Sequence, residues 1–288
     1  MADVLDLDQL GEPVQAPGTE AEDAFRTRRA DRLPEGALGR VRDLALWWAG
    51  VRGDDRAGPP AGVVHVGATG PLEPARASGP VRRLPLDPPD DVPGALEWGV
   101  ALADRIADGG GDLLLLTAPD GLHSRAVTAE LMGLDAVEAA GWPTARGLTD
   151  EEWMDEVAAV RDLLHRTRGL RGKPTALLEA LGSGRTAGAT ALVLQATARR
   201  TPVLLDGPGA CAAALIARRT ARSANTWWQV AQRGGDPLHG RMLTSLDLHP
   251  LTDLGVEIED GTAAVLALAV LDVAAHLLTA ELPTRDEA

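Results

Sequence analysis

Tyrosine is absent from this 288-residue chain, and phenylalanine and cysteine occur once each. The lone cysteine, Cys211, excludes an intrachain disulfide. It falls in an alanine run expected to be helical, where a small packed thiol is the plain expectation, and no nearby histidine in sequence marks it as a nucleophile. With so few aromatics the core must be aliphatic, built from Ala, Leu and Val, with seven tryptophans as large anchors. Positive charge is also scarce: 28 Lys and Arg stand against 42 Asp and Glu, a net charge of −14. Such a surface repels phosphate backbones and anionic bilayers, so neither nucleic acid nor a membrane is an expected partner. No run reaches the ~18 uninterrupted apolar residues of a membrane span. The acidic start carries no basic segment followed by an apolar one, so a cytoplasmic protein is expected. His239 and His249 have no carboxylate at metal spacing, which argues against a metal site there.

What is present reads as α/β. Residues 1–24 are acidic, contain Pro and Gly, and predict a mobile or loosely docked arm. Apolar positions at Leu38, Val41, Leu44, Ala45 and Trp48 predict an amphipathic helix over 36–52. A short strand follows at 62–66 and ends in Gly67-Ala-Thr-Gly70. Residues 71–93 carry seven prolines and read as a linker or collapsed loop. After a helix over 94–107, Asp112-Leu-Leu-Leu-Leu-Thr117 predicts a strand buried on both faces. Further helices are predicted over 124–131, from the Thr149-Asp-Glu-Glu152 capping box to about residue 166, and over 173–181. Arg200 to Gly207 then reads, with its flanks, as helix, buried strand, helix, the repeating unit of a parallel sheet. A helix is predicted through the 220s to about 232, and a strongly apolar one over 263–278.

Ligands of parallel sheets sit past the strands' carboxyl ends, which singles out Asp206 and Gly207. Gly182-Ser-Gly-Arg-Thr186 could cradle a phosphate, with Arg185 pairing to it, or could be a plain turn between helices. Gly67–Gly70 follows a strand and reads equally as a ligand loop or a turn. His123 could act as acid or base, and Ser124 could cap a helix. Glu257, Glu259 and Asp260 precede Gly261-Thr262 at a helix start; they could supply a general base or simply complement the helix dipole.

Several segments resemble, in order and spacing, the nicotinate-nucleotide–dimethylbenzimidazole phosphoribosyltransferases of cobalamin biosynthesis. Arg32-Leu-Pro-Glu-Gly-Ala-Leu-Gly-Arg40 is similar to the family's Lys-Pro-Pro-Gly-Ser-Leu-Gly-Arg signature, continued by Trp47 to Gly53. Arg146-Gly-Leu-Thr-Asp150 resembles a Gly-Leu-Asp-Asp turn, and Thr201-Pro-Val-Leu-Leu-Asp-Gly207 is nearly identical to its counterpart. Arg233, Asp236-Pro237 and His239 are similar to a Gly-His-Arg-Ser-x-Glu-Pro-x-His motif. Leu246 to Gly255 and Asp260-Gly-Thr262 complete the match, which covers residues 32–66 and 94–282.

The resemblance implies a three-layer parallel-sheet domain over 61–265. It also implies a smaller helical domain from 25–60 and 266–288, and a homodimer. It implies a reaction in which nicotinate leaves its ribotide, a benzimidazole nitrogen attacks the anomeric carbon, and a carboxylate takes the benzimidazole proton. No cofactor or metal is implied. The family's catalytic Glu falls on Asp260. The substrate side would include Asp206, Gly207, Gly182, Arg185, Arg233, Gly261, Thr262, Ser124 and Arg125.

Four ligand motifs depart from the pattern. The family's glycine-rich phosphate loop falls on Thr117–Arg125, where Asp120 would repel phosphate and Arg125 could compensate in part. A family Lys falls on Glu156, and the Ser of the His-Arg-Ser motif falls on Gly234. The segment that helps build the benzimidazole pocket is replaced by the short stretch 71–93. Three functions are compatible with this: an eroded, accessory paralogue, alone or paired with an active homologue; an active enzyme with altered base or ribotide; or a small-molecule sensor on the same scaffold.

Overall fold

A computed structural model describes residues 5–29, 36, 38–68, 70, 79–119, 121–143 and 147–281. Six strands form one sheet: β1 (Val63–Gly67), β2 (Arg82–Leu84), β3 (Leu113–Thr117), β4 (Val203–Asp206), β5 (Trp228–Gln232) and β6 (Pro250–Thr252). Their spatial order is β2-β1-β3-β4-β5-β6 and every neighbouring pair is parallel. The chain steps outward from β1 to β2, then returns to build in the other direction from β3. That reversal opens a crevice at the carboxyl ends of β1 and β3, the ligand position of open parallel sheets.

The strands form where the sequence is apolar without alternation. All of β3 and β4 is buried, as expected when helices cover both faces. Helices α1 (Leu7–Gly11), α2 (Glu20–Arg29) and α3 (Gly39–Arg52) come before the sheet. Within it run α4 (Val92–Asp108), α5 (Leu122–Met132), α6 (Ala136–Ala140), α7 (Asp150–Thr167), α8 (Pro174–Leu181), α9 (Gly184–Ala198), α10 (Pro208–Thr220) and α11 (Pro237–Leu246). The chain's last described helix is α12 (Thr262–Thr279). The expected capping box opens α7: the Thr149 hydroxyl accepts from Glu152 N at 3.3 Å, and the Glu152 carboxylate accepts from Thr149 N at 2.8 Å. By length and composition α12 could cross a membrane. Here it packs on α3 and on β4, β5 and β6, which accounts for its apolar character.

Three expectations are corrected. Residues 5–24 are docked: Leu7 is fully buried, and Trp227 Nε1 and Ser223 Oγ donate to the carbonyls of Gln15 and Val14. The helix expected to about residue 232 is a 3-10 turn, Arg222–Trp227, followed by β5. Trp228 is fully buried with its indole N–H on Thr197 Oγ1 at 2.8 Å, so tertiary packing overrides local preference. The Pro-rich stretch contains edge strand β2; residues 71–78 lie outside the described ones. An edge position tolerates the prolines that flank it.

Candidate active site

The carboxyl ends of β1, β3 and β4 bring together His65, Thr117 and Asp206. Thr117 and Asp206 are register partners, and the Thr117 hydroxyl donates to Asp206 Oδ2 at 3.0 Å. His65 Nε2 lies 2.8 Å from the same hydroxyl. Because that hydroxyl's proton goes to Asp206, it accepts from Nε2–H, which leaves the lone pair on His65 Nδ1. Among the described residues no partner meets Nδ1, although the ring is buried. Burial, and then the charge of Arg83, lower the His65 pKa to about 4, so the ring is neutral near pH 7. Burial, and then the charge of Asp260, raise the Asp206 pKa to about 6, against the bonds it receives from Thr117 and the Ala264 amide.

Above this row, Gly261 turns the chain into α12. Its φ is +87°, and a Cβ there would sit 2.4 Å from His65 Cε1, so both backbone and space demand glycine. Asp260 is half-buried just before it. Its Oδ1 accepts from Thr262 N at 2.9 Å, and its carbonyl accepts from Gly70 N. A Cβ on Gly70 would lie 2.2 Å from Asp260 Oδ2, so the turn after β1 presses on the carboxylate. Asp206, Asp260, Gly261 and Thr262 are thus gathered at one edge beside Gly207. The first-turn amides of α12 favour negative charge there. A half-buried carboxylate next to a buried one is suited to accepting a proton from a bound base.

Other expected residues are placed differently. The Ser124 hydroxyl closes the start of α5, accepting from Gly121 N and donating to Gly121 O. Arg125 is corrected most clearly. It is 1% exposed, with Nε 2.9 Å from Glu156, one terminal nitrogen 2.5 Å from Asp236, and the other donating to Ala139 O at 2.7 Å. It ties α5 to α6, α7 and α11 and is not placed to bind phosphate. The two departures at Arg125 and Glu156 are therefore one coupled change, a buried ion pair. Gly182 ends α8 in the left-handed region and Ser183 caps α9, so this stretch is built as a turn between helices. Arg185 is exposed and makes no hydrogen bond among the described residues to the Asp206–Asp260 cluster. Arg233 follows β5 on the same sheet edge and is exposed. Asp120, Thr69 and Arg146 lie outside the described residues.

His65 and Arg83 escaped the sequence reading, and Thr117 entered it only as a strand end and the start of the phosphate-loop match. The available signal for His65 was a lone polar residue inside a run of valines. Arg83 was hidden in the Pro-rich stretch; it reaches toward Gly70 O at 3.4 Å. Cys211 does meet a histidine in space, His239 Nε2 at 3.4 Å. His239 Nδ1 already accepts from Gly234 N at 3.0 Å, so the neutral ring carries its proton on Nε2 and cannot take one from the thiol. Burial also pushes the thiol pKa well up, in keeping with an inert packed residue. Among the described residues no group of three His, Cys, Asp or Glu is placed for a metal ion.

Comparison with known proteins adds independent findings. A phosphoribosyltransferase family model matches residues 88–288. A nicotinate-nucleotide–dimethylbenzimidazole phosphoribosyltransferase of Mycolicibacterium paratuberculosis is 33% identical, covering 91% of this chain and 92% of its own. The one of Mycobacterium avium is 32% identical, covering 92% and 94%. The crystal structure of CobT from Thermus thermophilus superposes with a TM-score of 0.75 at 24% identity, covering 93% and 98%. That last likeness concerns the fold.

Proposed function

The chain belongs to the nicotinate-nucleotide–dimethylbenzimidazole phosphoribosyltransferase family, and from that premise we propose that it is a cytoplasmic member in which substrate handling is retained only in part and catalysis is eroded. It would serve the assembly of the cobalamin lower-ligand nucleotide as an accessory subunit, as a homodimer or beside an active homologue. The observation that carries this reading is the anchoring of Asp260. One carboxylate oxygen is bound by Thr262 N and the other lies under Gly70, while the side chain is one methylene shorter than the family's Glu. Displacement of a catalytic group by ~1 Å can cost ~100-fold in rate. The commitment of Arg125 to Glu156 and Asp236 supports it, because this cation does not replace the Lys missing at Glu156.

A second reading has its own observation. The charge of Asp260 reaches the buried Asp206, and the His65–Thr117 chain orients the Asp206 carboxylate. In an active enzyme with altered base, nicotinate would depart as a ring nitrogen of the incoming base attacks the anomeric carbon through its lone pair, and Asp260 would take the proton from that base's ring N–H. The deciding experiment is a chromatographic assay of the purified chain with nicotinate mononucleotide and dimethylbenzimidazole, alongside an active relative. The first reading expects no ribotide product, yet thermal stabilisation by nicotinate mononucleotide. Turnover that disappears in Asp260→Asn would establish the second reading instead.

A further inference from the structure

At the pole opposite the candidate site, the carboxyl ends of α5, α10 and α11 meet the turn before α8. The distance along α10 is on the order of 20 Å for its 13 residues. A cavity of about 700 Å³ opens there, lined by Arg171, Arg218, Arg219 and Arg222, with Asp8 the sole acidic side chain among the described lining residues. In a chain with a 14-charge excess of acid, four guanidinium groups around one cavity need a reason. Capping of helix ends explains part of it. Arg218 donates to Ser245 O, Arg219 to Leu131 O at 2.9 Å and Arg171 Nε to Glu130 O at 2.8 Å. Each guanidinium has five N–H donors, however, and those bonds engage one nitrogen of each group. The Arg222 guanidinium makes no hydrogen bond among the described residues, and none of the four guanidinium groups forms an ion pair there. Three partial negative helix ends and one carboxylate do not offset four full positive charges.

We propose that this cavity is an anion site for a small molecule bearing a diphosphate group, separate from the candidate active site. Multiple guanidinium forks suit adjacent phosphoryl oxyanions, which accept bidentate bonds. The concave shape and the overall negative charge select a small ligand over a polymer. Beyond a Debye length of ~8 Å the arginine field is screened, so a nucleic acid would meet mainly the acidic surface. Leu215 and Pro174 lie buried at the base of the cavity, so the arginines supply most of the surface open to a ligand. Binding at this pole is independent of whether the chain is catalytically active.

The test is isothermal titration of the full chain with inorganic pyrophosphate at physiological salt, with ADP as a second probe. One-site binding is expected, weakened by ~10-fold or more in Arg171→Gln/Arg222→Gln and partly restored in the corresponding double Lys variant. Arg222→Gln alone guards against misfolding, because it removes no hydrogen bond among the described residues, and it should weaken binding by several-fold. Tighter binding of ADP than of pyrophosphate would assign a nucleotide, and equal binding the diphosphate alone. Absence of binding at millimolar pyrophosphate, unchanged affinity in the Gln variants, or competition by nicotinate mononucleotide would each overturn the proposal.

Discussion

At the residue scale, the buried His65–Thr117–Asp206 chain gives two opposing titrations. The pKa of Asp206 is raised to about 6, so its contribution to stability is full below pH ~4 and is lost as pH rises through 6. The pKa of His65 is lowered to about 4, so its contribution is full above pH ~6.5 and is lost as pH falls through 4. Between pH 4 and 6 the two slopes largely cancel. Denaturant unfolding of His65→Gln should therefore show stability falling by roughly 2–3 kcal/mol from about pH 4 to about pH 6, and Asp206→Asn should show the reverse slope. Parallel slopes in the two variants would mean that the shifts are misassigned. Gly261→Ala meets both a positive φ and the His65 ring, and should lower stability by more than ~2 kcal/mol. A melt within about 2 °C of the parent would refute that account of the turn. The Asp206–Gly207 position was legible in the sequence because strand ends in parallel sheets follow a general rule. His65 was not, because nothing local says which side of a strand will face Thr117 and Asp206.

At the scale of elements, Arg125 joins four helices through one guanidinium. Arg125→Met leaves Glu156 and Asp236 near a site that has lost its cation, and should cost about 3–5 kcal/mol. Adding Glu156→Gln and Asp236→Asn to it should recover much of that loss by removing the unpaired charges. If the single variant melts like the parent, the pair is not structural. Set against the family's motifs, Arg125 and Glu156 count as separate changes in ligand handling. Their contact spans 31 positions in the chain, which local reading cannot bridge. The helices themselves were largely legible, since α4, α7, α10 and α12 follow from apolar patterning and, for α7, from the Thr149 cap, whereas the Asp91 cap of α4 lay hidden in the Pro-rich stretch. The turn and strand at 222–232 were not, because Trp227 and Trp228 take their conformation from the core around them.

At the scale of the whole molecule, the N-terminal segment is part of the fold. Helix α1, with Leu7 fully buried, packs on α9 and α10, and Arg28 joins α2 to Asp55 and to the Leu278 carbonyl near the chain's far end. Leu7→Ala should lower stability by about 2–3 kcal/mol and hasten proteolysis of the first twenty or so residues. Equal cleavage rates in the two proteins would show that this docking contributes little. Composition gave no warning, because one buried leucine in an acidic stretch is a weak signal until its cavity exists.

The amino-acid sequence by itself determined the class of fold, the parallel sheet, the family and the strand end at which Asp206 and Gly207 lie. Hydrophobic periodicity, glycine at forced turns and ordered motifs are local properties that survive divergence. Only the tertiary structure decided what the charges do. It bound Asp260 into the start of α12, paired Arg125 with two carboxylates, and collected four arginines at the far pole. Charge acts through distance in space and through burial, and neither is written along the chain.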